Sequence, residues 1–113
     1  MLLYWPARFI LHVVVGACPS LPLYAGEVQC KSLGMAVEIY SQDGTADLEA
    51  SGQPGELACT MPFPSMPVTL WGDVTGSTYE KAYFSRFPGV WHHGDFLAMN
   101  PETKGIVMLG RRY

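Results

Sequence analysis

The sequence predicts a mainly β fold with one short helix, and three observations carry that expectation. Apolar runs are short and are broken by 12 glycines and 9 prolines in 113 residues, which favours strands and structured loops over long helices. Turn chemistry recurs, in Gln42-Asp43-Gly44-Thr45 and in Asn100-Pro101-Glu102-Thr103-Lys104-Gly105. One window, from Ser77 or Thr78 as cap through Arg86, spaces apolar residues as a helix does, with Tyr79, Ala82, Tyr83 and Phe87 on one face and Glu80 and Lys81 turned to water.

Taken in order, residues 1–17 are apolar, but Arg8 lies inside the segment and His12 interrupts it, so neither a secretion signal nor a membrane span is expected. Residues 9–15, rich in valine, read as a buried strand. Pro19 and Pro22 close it. Residues 27–30 and 34–40 alternate as short strands, and the Asp43-Gly44 turn follows because Asp-Gly tolerates a positive φ. Residues 46–54 are polar and read as a surface loop, and residues 55–60 resume the sheet. Three prolines alternating with Phe63 and Met66 in residues 61–67 make an ordered loop, suited either to a pocket wall or to covering a sheet edge. After the helix, Pro88-Gly89 stops it, and strands are expected at Val90-Trp91, at residues 96–99 and at residues 106–109. Trp71, Trp91, Tyr83 and Phe84 are expected in the core.

Composition excludes several functions. A formal net charge of −3 gives no electrostatic argument for nucleic acid, and a 49% hydrophobic content is too high for disorder. Cys18, Cys30 and Cys59 are odd in number and widely spaced, which suggests neither a disulfide framework nor a zinc site; reduced, inert thiols in the cytosol are the expectation. No repeat or internal boundary is visible, so residues 1–113 are read as one unit.

The candidate site lies in Trp91-His92-His93-Gly94-Asp95-Phe96. Asp95 is a lone carboxylate directly after a glycine, the arrangement by which a tight turn at Gly94 presents one acid at the start of a strand. Beyond the Asn100–Gly105 hairpin signal comes Gly110-Arg111, so a hairpin brings the acid and the guanidinium to one edge. His92 and His93, adjacent on a strand, point to opposite faces and cannot easily share a metal ion. No Ser or Cys nucleophile is tied to either ring, so no catalytic histidine is expected.

Gly55-Glu56-Leu57, Pro62-Phe63-Pro64-Ser65-Met66-Pro67, Ala82-Tyr83-Phe84, Phe87-Pro88-Gly89-Val90-Trp91, His93-Gly94-Asp95 and Gly110-Arg111 occur in one order. That ordered set resembles the acetoacetyl-CoA synthetase family, within the superfamily of acyl-CoA ligases, luciferases and peptide-synthetase adenylation domains. The resemblance covers roughly residues 20–111. It implies a truncated β-barrel-like subdomain of a large adenylating domain. The activity it implies is ATP-dependent conversion of acetoacetate to an acyl-adenylate with release of pyrophosphate, then thiolysis by CoA, with Mg2+ in the parent enzymes. It also implies that Asp95 holds the ribose hydroxyls of ATP or AMP and that Arg111 contacts the ribose and phosphate region. A Ser/Thr/Gly-rich phosphate loop ending in lysine, a Thr-Glu pair and a lysine-bearing C-terminal domain are not found in these 113 residues. The expectation is therefore an inactive piece with at most residual AMP or ATP binding. A non-catalytic β domain that binds a nucleotide or protein, and a small exported or lipid-anchored protein using Cys18, stand as alternatives.

Overall fold

The computed structural model describes residues 15–45 and 47–111. Six strands and one α-helix are present among them: β1 Val15–Gly16, β2 Cys30–Lys31, β3 Val37–Tyr40, β4 Gly55–Cys59, α1 Ser77–Tyr83, β5 Trp91–Met99 and β6 Ile106–Arg111, with a 3-10 turn at Glu49–Ser51. The fold is mainly β with one short helix, as its sequence predicts. Strands β3-β4-β5-β6 form an antiparallel sheet in chain order, and β1 and β2 form a separate antiparallel pair.

Strand β4 is buried along its whole length because β3 and β5 flank it and both its faces are covered. Its neighbours alternate. Val37 and Ile39 of β3, with Leu57, Cys59, Trp91, Leu97, Met99 and Ile106, make the core. Phe63 lies over that core with its ring edge-on to Trp91 at 5.3 Å, so the proline-rich loop covers apolar surface. Tyr40 and His92 share the opposite face with Phe87, whose ring meets each of them edge-on.

The β5–β6 turn is held from a distant point in the chain. Lys104 takes the positive φ of 62°, while Glu27 accepts hydrogen bonds from Asn100 Nδ2 at 2.9 Å and Thr103 Oγ1 at 2.8 Å. Val28 exchanges two backbone hydrogen bonds of 2.7 Å with Ile106, which fastens the segment entering β2 to the start of β6.

Several elements differ from expectation for identifiable reasons. The 9–15 strand lies mostly outside the described residues, with only Val15 within β1. The expected 27–30 and 34–40 strands contract to β2 and β3, and Val28 keeps an isolated bridge. Helix α1 ends at Tyr83, and neither Ser77 nor Thr78 caps it. Gly76 is the cap residue, at a φ of 76°, and the Asp73 carboxylate accepts from Thr78 N at 3.3 Å and Tyr79 N at 2.8 Å. Ala82 is exposed, since only Tyr79 and Tyr83 of the expected face reach Trp91. Trp71 is fully exposed, not buried, together with Val68 and Val74.

Candidate functional site

The two expected strands at Val90-Trp91 and at 96–99 are one continuous nine-residue strand, β5. A bulge makes this possible. Glu56 pairs with Phe96 and Ala58 with His92, so Leu57 alone stands opposite His93, Gly94 and Asp95. Gly94 absorbs the excess with a φ of 90°. A Cβ there would meet nothing within 4 Å, so the backbone angle and not crowding calls for glycine. The expected tight turn at Gly94 is thus an in-strand bulge, and Asp95 sits in mid-strand, not at a strand start.

A second irregularity lies on the other side. Phe96 pairs with Gly110 and Leu97 with Met108, leaving Leu109 as the extra residue of β6. Asp95 pairs in register with Arg111. The hairpin therefore does bring the acid and the guanidinium together: Arg111 Nε lies 3.3 Å from Asp95 Oδ1.

The carboxylate is nearly enclosed, with Asp95 4% exposed. Arg111, its side chain 33% exposed, is the more accessible partner. His93 Nε2 is 3.3 Å from Asp95 Oδ2, but the two are not aligned for a hydrogen bond. Oδ2 is consequently a buried acceptor without a hydrogen-bond partner among the described residues. Such an atom is costly unless something completes it. Trp91 Nε1 donates to His93 Nδ1 at 3.2 Å, and Trp91 stacks on Tyr83 with centroids 4.0 Å apart. Burial pushes the Tyr83 phenol up from its ordinary pKa, and the Arg111 cation opposes that rise.

The two histidines occupy opposite faces, as strand alternation requires. His92 Nε2 meets Glu56 Oε2 at 3.0 Å on the Phe87 side. Among the described residues no group of three or more His, Cys, Asp or Glu is placed to hold a metal, and no helix is long and apolar enough to cross a membrane. A hollow of about 640 Å³ near the hairpin is bordered by Lys31, Glu49, Met99 and Thr103 and does not include Asp95.

Over 102 residues, 90% of its length, the chain is 52% identical to the acetoacetyl-CoA synthetase of Mus musculus. Over 93 residues it is 46% identical to the acetoacetyl-coenzyme A synthetase of Rhizobium meliloti (strain 1021). The chain is homologous to one segment of the acetoacetyl-CoA synthetases. The solved structure of acetoacetyl-CoA synthetase from Streptomyces lividans superposes with a TM-score of 0.79 at 39% identity, over 87% of this chain and 15% of that one. The chain likewise spans about 15% of the length of the mouse synthetase and 14% of the bacterial one. No family model matches it.

Within this synthetase-like segment, all three residues singled out in the sequence, Gly94, Asp95 and Arg111, converge on the paired bulges of β5 and β6. Sequence reasoning placed His93 in the candidate stretch but gave it no role beside Asp95, having set aside a metal site and a catalytic histidine. A signal was available, because Trp91, His93 and Asp95 stand two residues apart and so share a face of one strand.

Proposed function

We propose that the chain carries the ribose-binding part of an acetoacetate-activating ligase, as one partial domain. Asp95 accepts the two ribose hydroxyls of ATP or AMP, and Arg111 supports the ribose and phosphate region. In the whole protein this grip holds the nucleotide while the acetoacetate carboxylate attacks the α-phosphorus, and CoA then displaces AMP from the acyl-adenylate.

The observation that carries this reading is the buried Oδ2 of Asp95, an acceptor with no hydrogen-bond partner among the described residues, in a carboxylate whose other oxygen faces Arg111. A vicinal diol supplies two hydroxyl donors at the spacing of two carboxylate oxygens. Each charge-assisted bond contributes about 1.5–3 kcal/mol. Arg111 adds a planar donor fork suited to phosphate oxygens. No Mg2+ or CoA ligand is assigned to the described residues; those groups belong to the whole-enzyme reading.

AMP titration of the pure chain tests it. Weak binding lost in Asp95→Ala is expected, whereas binding indifferent to that change removes Asp95 from the account. The chain by itself is expected to release no pyrophosphate with acetoacetate and ATP, and a measurable rate would refute that.

A second reading, a β domain that engages a protein partner, is favoured by the complete exposure of Val68, Trp71 and Val74 in one short loop.

A further inference from the structure

The indole N–H of Trp91 can only donate, and it donates to His93 Nδ1. That nitrogen therefore turns its lone pair toward Trp91, and the neutral imidazole carries its proton on Nε2. Nε2 is the atom that faces Asp95 Oδ2 at 3.3 Å, from a His93 side chain that is completely buried. Packing fixes the same orientation: Trp91, which holds the ring, is itself clamped by Tyr83 in a stack and by Phe63 and Phe84 edge-on.

From this geometry we infer that His93 is a positioning residue for Asp95. Locked by Trp91 in its Nε2–H form, it sets the rotation of the carboxylate, with Arg111 restraining the other oxygen. The inference rests on the ribose reading of Asp95. Its physical basis is that the terminal torsion of an aspartate is broad, so a free carboxylate samples many planes. A diol presents its hydroxyls in one plane, and a carboxylate already held there loses less freedom on binding. The contact is not aligned for a hydrogen bond, so Oδ2 keeps acceptor capacity for a hydroxyl. His92 does not share this role, because it lies on the other face against Glu56.

The test compares AMP with 2′-deoxy-AMP, which lacks one hydroxyl of the diol, in the unaltered chain and in four variants. The unaltered chain is expected to prefer AMP by about tenfold or more, the loss of one charge-assisted bond. Asp95→Ala abolishes the preference. His93→Asn accepts from Trp91 but is too short to reach Asp95, and brings the ratio near one while the thermal midpoint stays close to that of the unaltered chain. His93→Gln places its amide near the Nε2 position and keeps most of the preference, and His92→Asn leaves it unchanged. Histidine 15N NMR of the unaltered chain should show the Nε2–H tautomer at His93, a readout that stands even if His93→Asn fails to fold. An Nδ1–H tautomer, or a preference retained in folded His93→Asn, overturns the inference and leaves Asp95 as the ribose group. No preference in the unaltered chain, or one that survives Asp95→Ala, overturns the ribose reading and this inference with it.

Discussion

Asp95 and Arg111 face each other as register partners on β5 and β6, with Oδ1 and Nε 3.3 Å apart. The acid is enclosed and the base is one-third exposed, so solvent screens the attraction from one side only. A double-mutant cycle of Asp95→Ala and Arg111→Ala in urea should return a coupling of about 0.5–1 kcal/mol, the range of partly exposed ion pairs. Additive effects would show that the two groups are merely adjacent.

Two glycines separate backbone crowding from side-chain crowding. A Cβ on Gly55 would lie 2.5 Å from the Tyr40 carbonyl oxygen and 2.7 Å from Ile39 Cγ2, so β3 and β4 must part. A Cβ on Gly105 would displace the Glu27 carboxylate that ties down Asn100 and Thr103. Gly55→Ala is expected to lower stability by about 3 kcal/mol and Gly105→Ala by about 1–2 kcal/mol, the scale of overpacking and of lost charged hydrogen bonds. Chemical denaturation checks the order, and an equal loss at both sites would contradict it.

Burial pushes the Cys59 thiol up to about 11, while hydrogen bonding from Ser20 lowers that of half-buried Cys18. Alkylation at pH 8 followed by mass spectrometry should modify Cys18 first and Cys59 only under denaturant. Above pH 9 the unfolded chain releases the Cys59 proton while the folded one retains it, so stability should decline from pH 9 toward 11, and Cys59→Ala should flatten that decline.

At the acid end, hydrogen bonds from Ser41 and Thr45 hold Asp43 at about 2, below its ordinary 3.8. Its contribution is complete above pH 3.8 and vanishes as pH falls toward 2, because protonation then favours the unfolded chain. An Asp43→Asn variant should lose that part of the acid dependence in pH-resolved melts.

The two described tryptophans should respond oppositely. Trp91 is 2% exposed and touches four aromatic rings besides His93, so Trp91→Ala should lose about 3–5 kcal/mol. Trp71 makes no burial at all, and Trp71→Ala should stay within about 0.5 kcal/mol. A large loss at Trp71 would mean that its loop packs on this chain.

Where local chemistry decides the structure, the sequence was readable. Strand β4 falls within one residue of its expected end, and the Asn100–Gly105 turn joins β5 to β6 as its residues suggest. The meeting of Asp95 with Arg111 followed from that turn. What escaped depends on neighbouring strands. A glycine inside an alternating run looks like a stop, and only the pairing of Glu56 and Ala58 across Leu57 reveals that β5 runs through Gly94 with extra residues. The Asp73 carboxylate satisfies the start of α1 from outside the expected cap positions. Trp71 looked like core because apolar pattern does not record which side of a loop meets the rest of the molecule.

The Glu27 clasp also bears on the order in which the molecule assembles. It joins residues 73 and 76 positions apart, so the turn between β5 and β6 is not fully secured until the early part of the chain has docked. A start codon beyond position 27 would leave Asp95 and Arg111 in the polypeptide yet deprive their hairpin of its remote anchor.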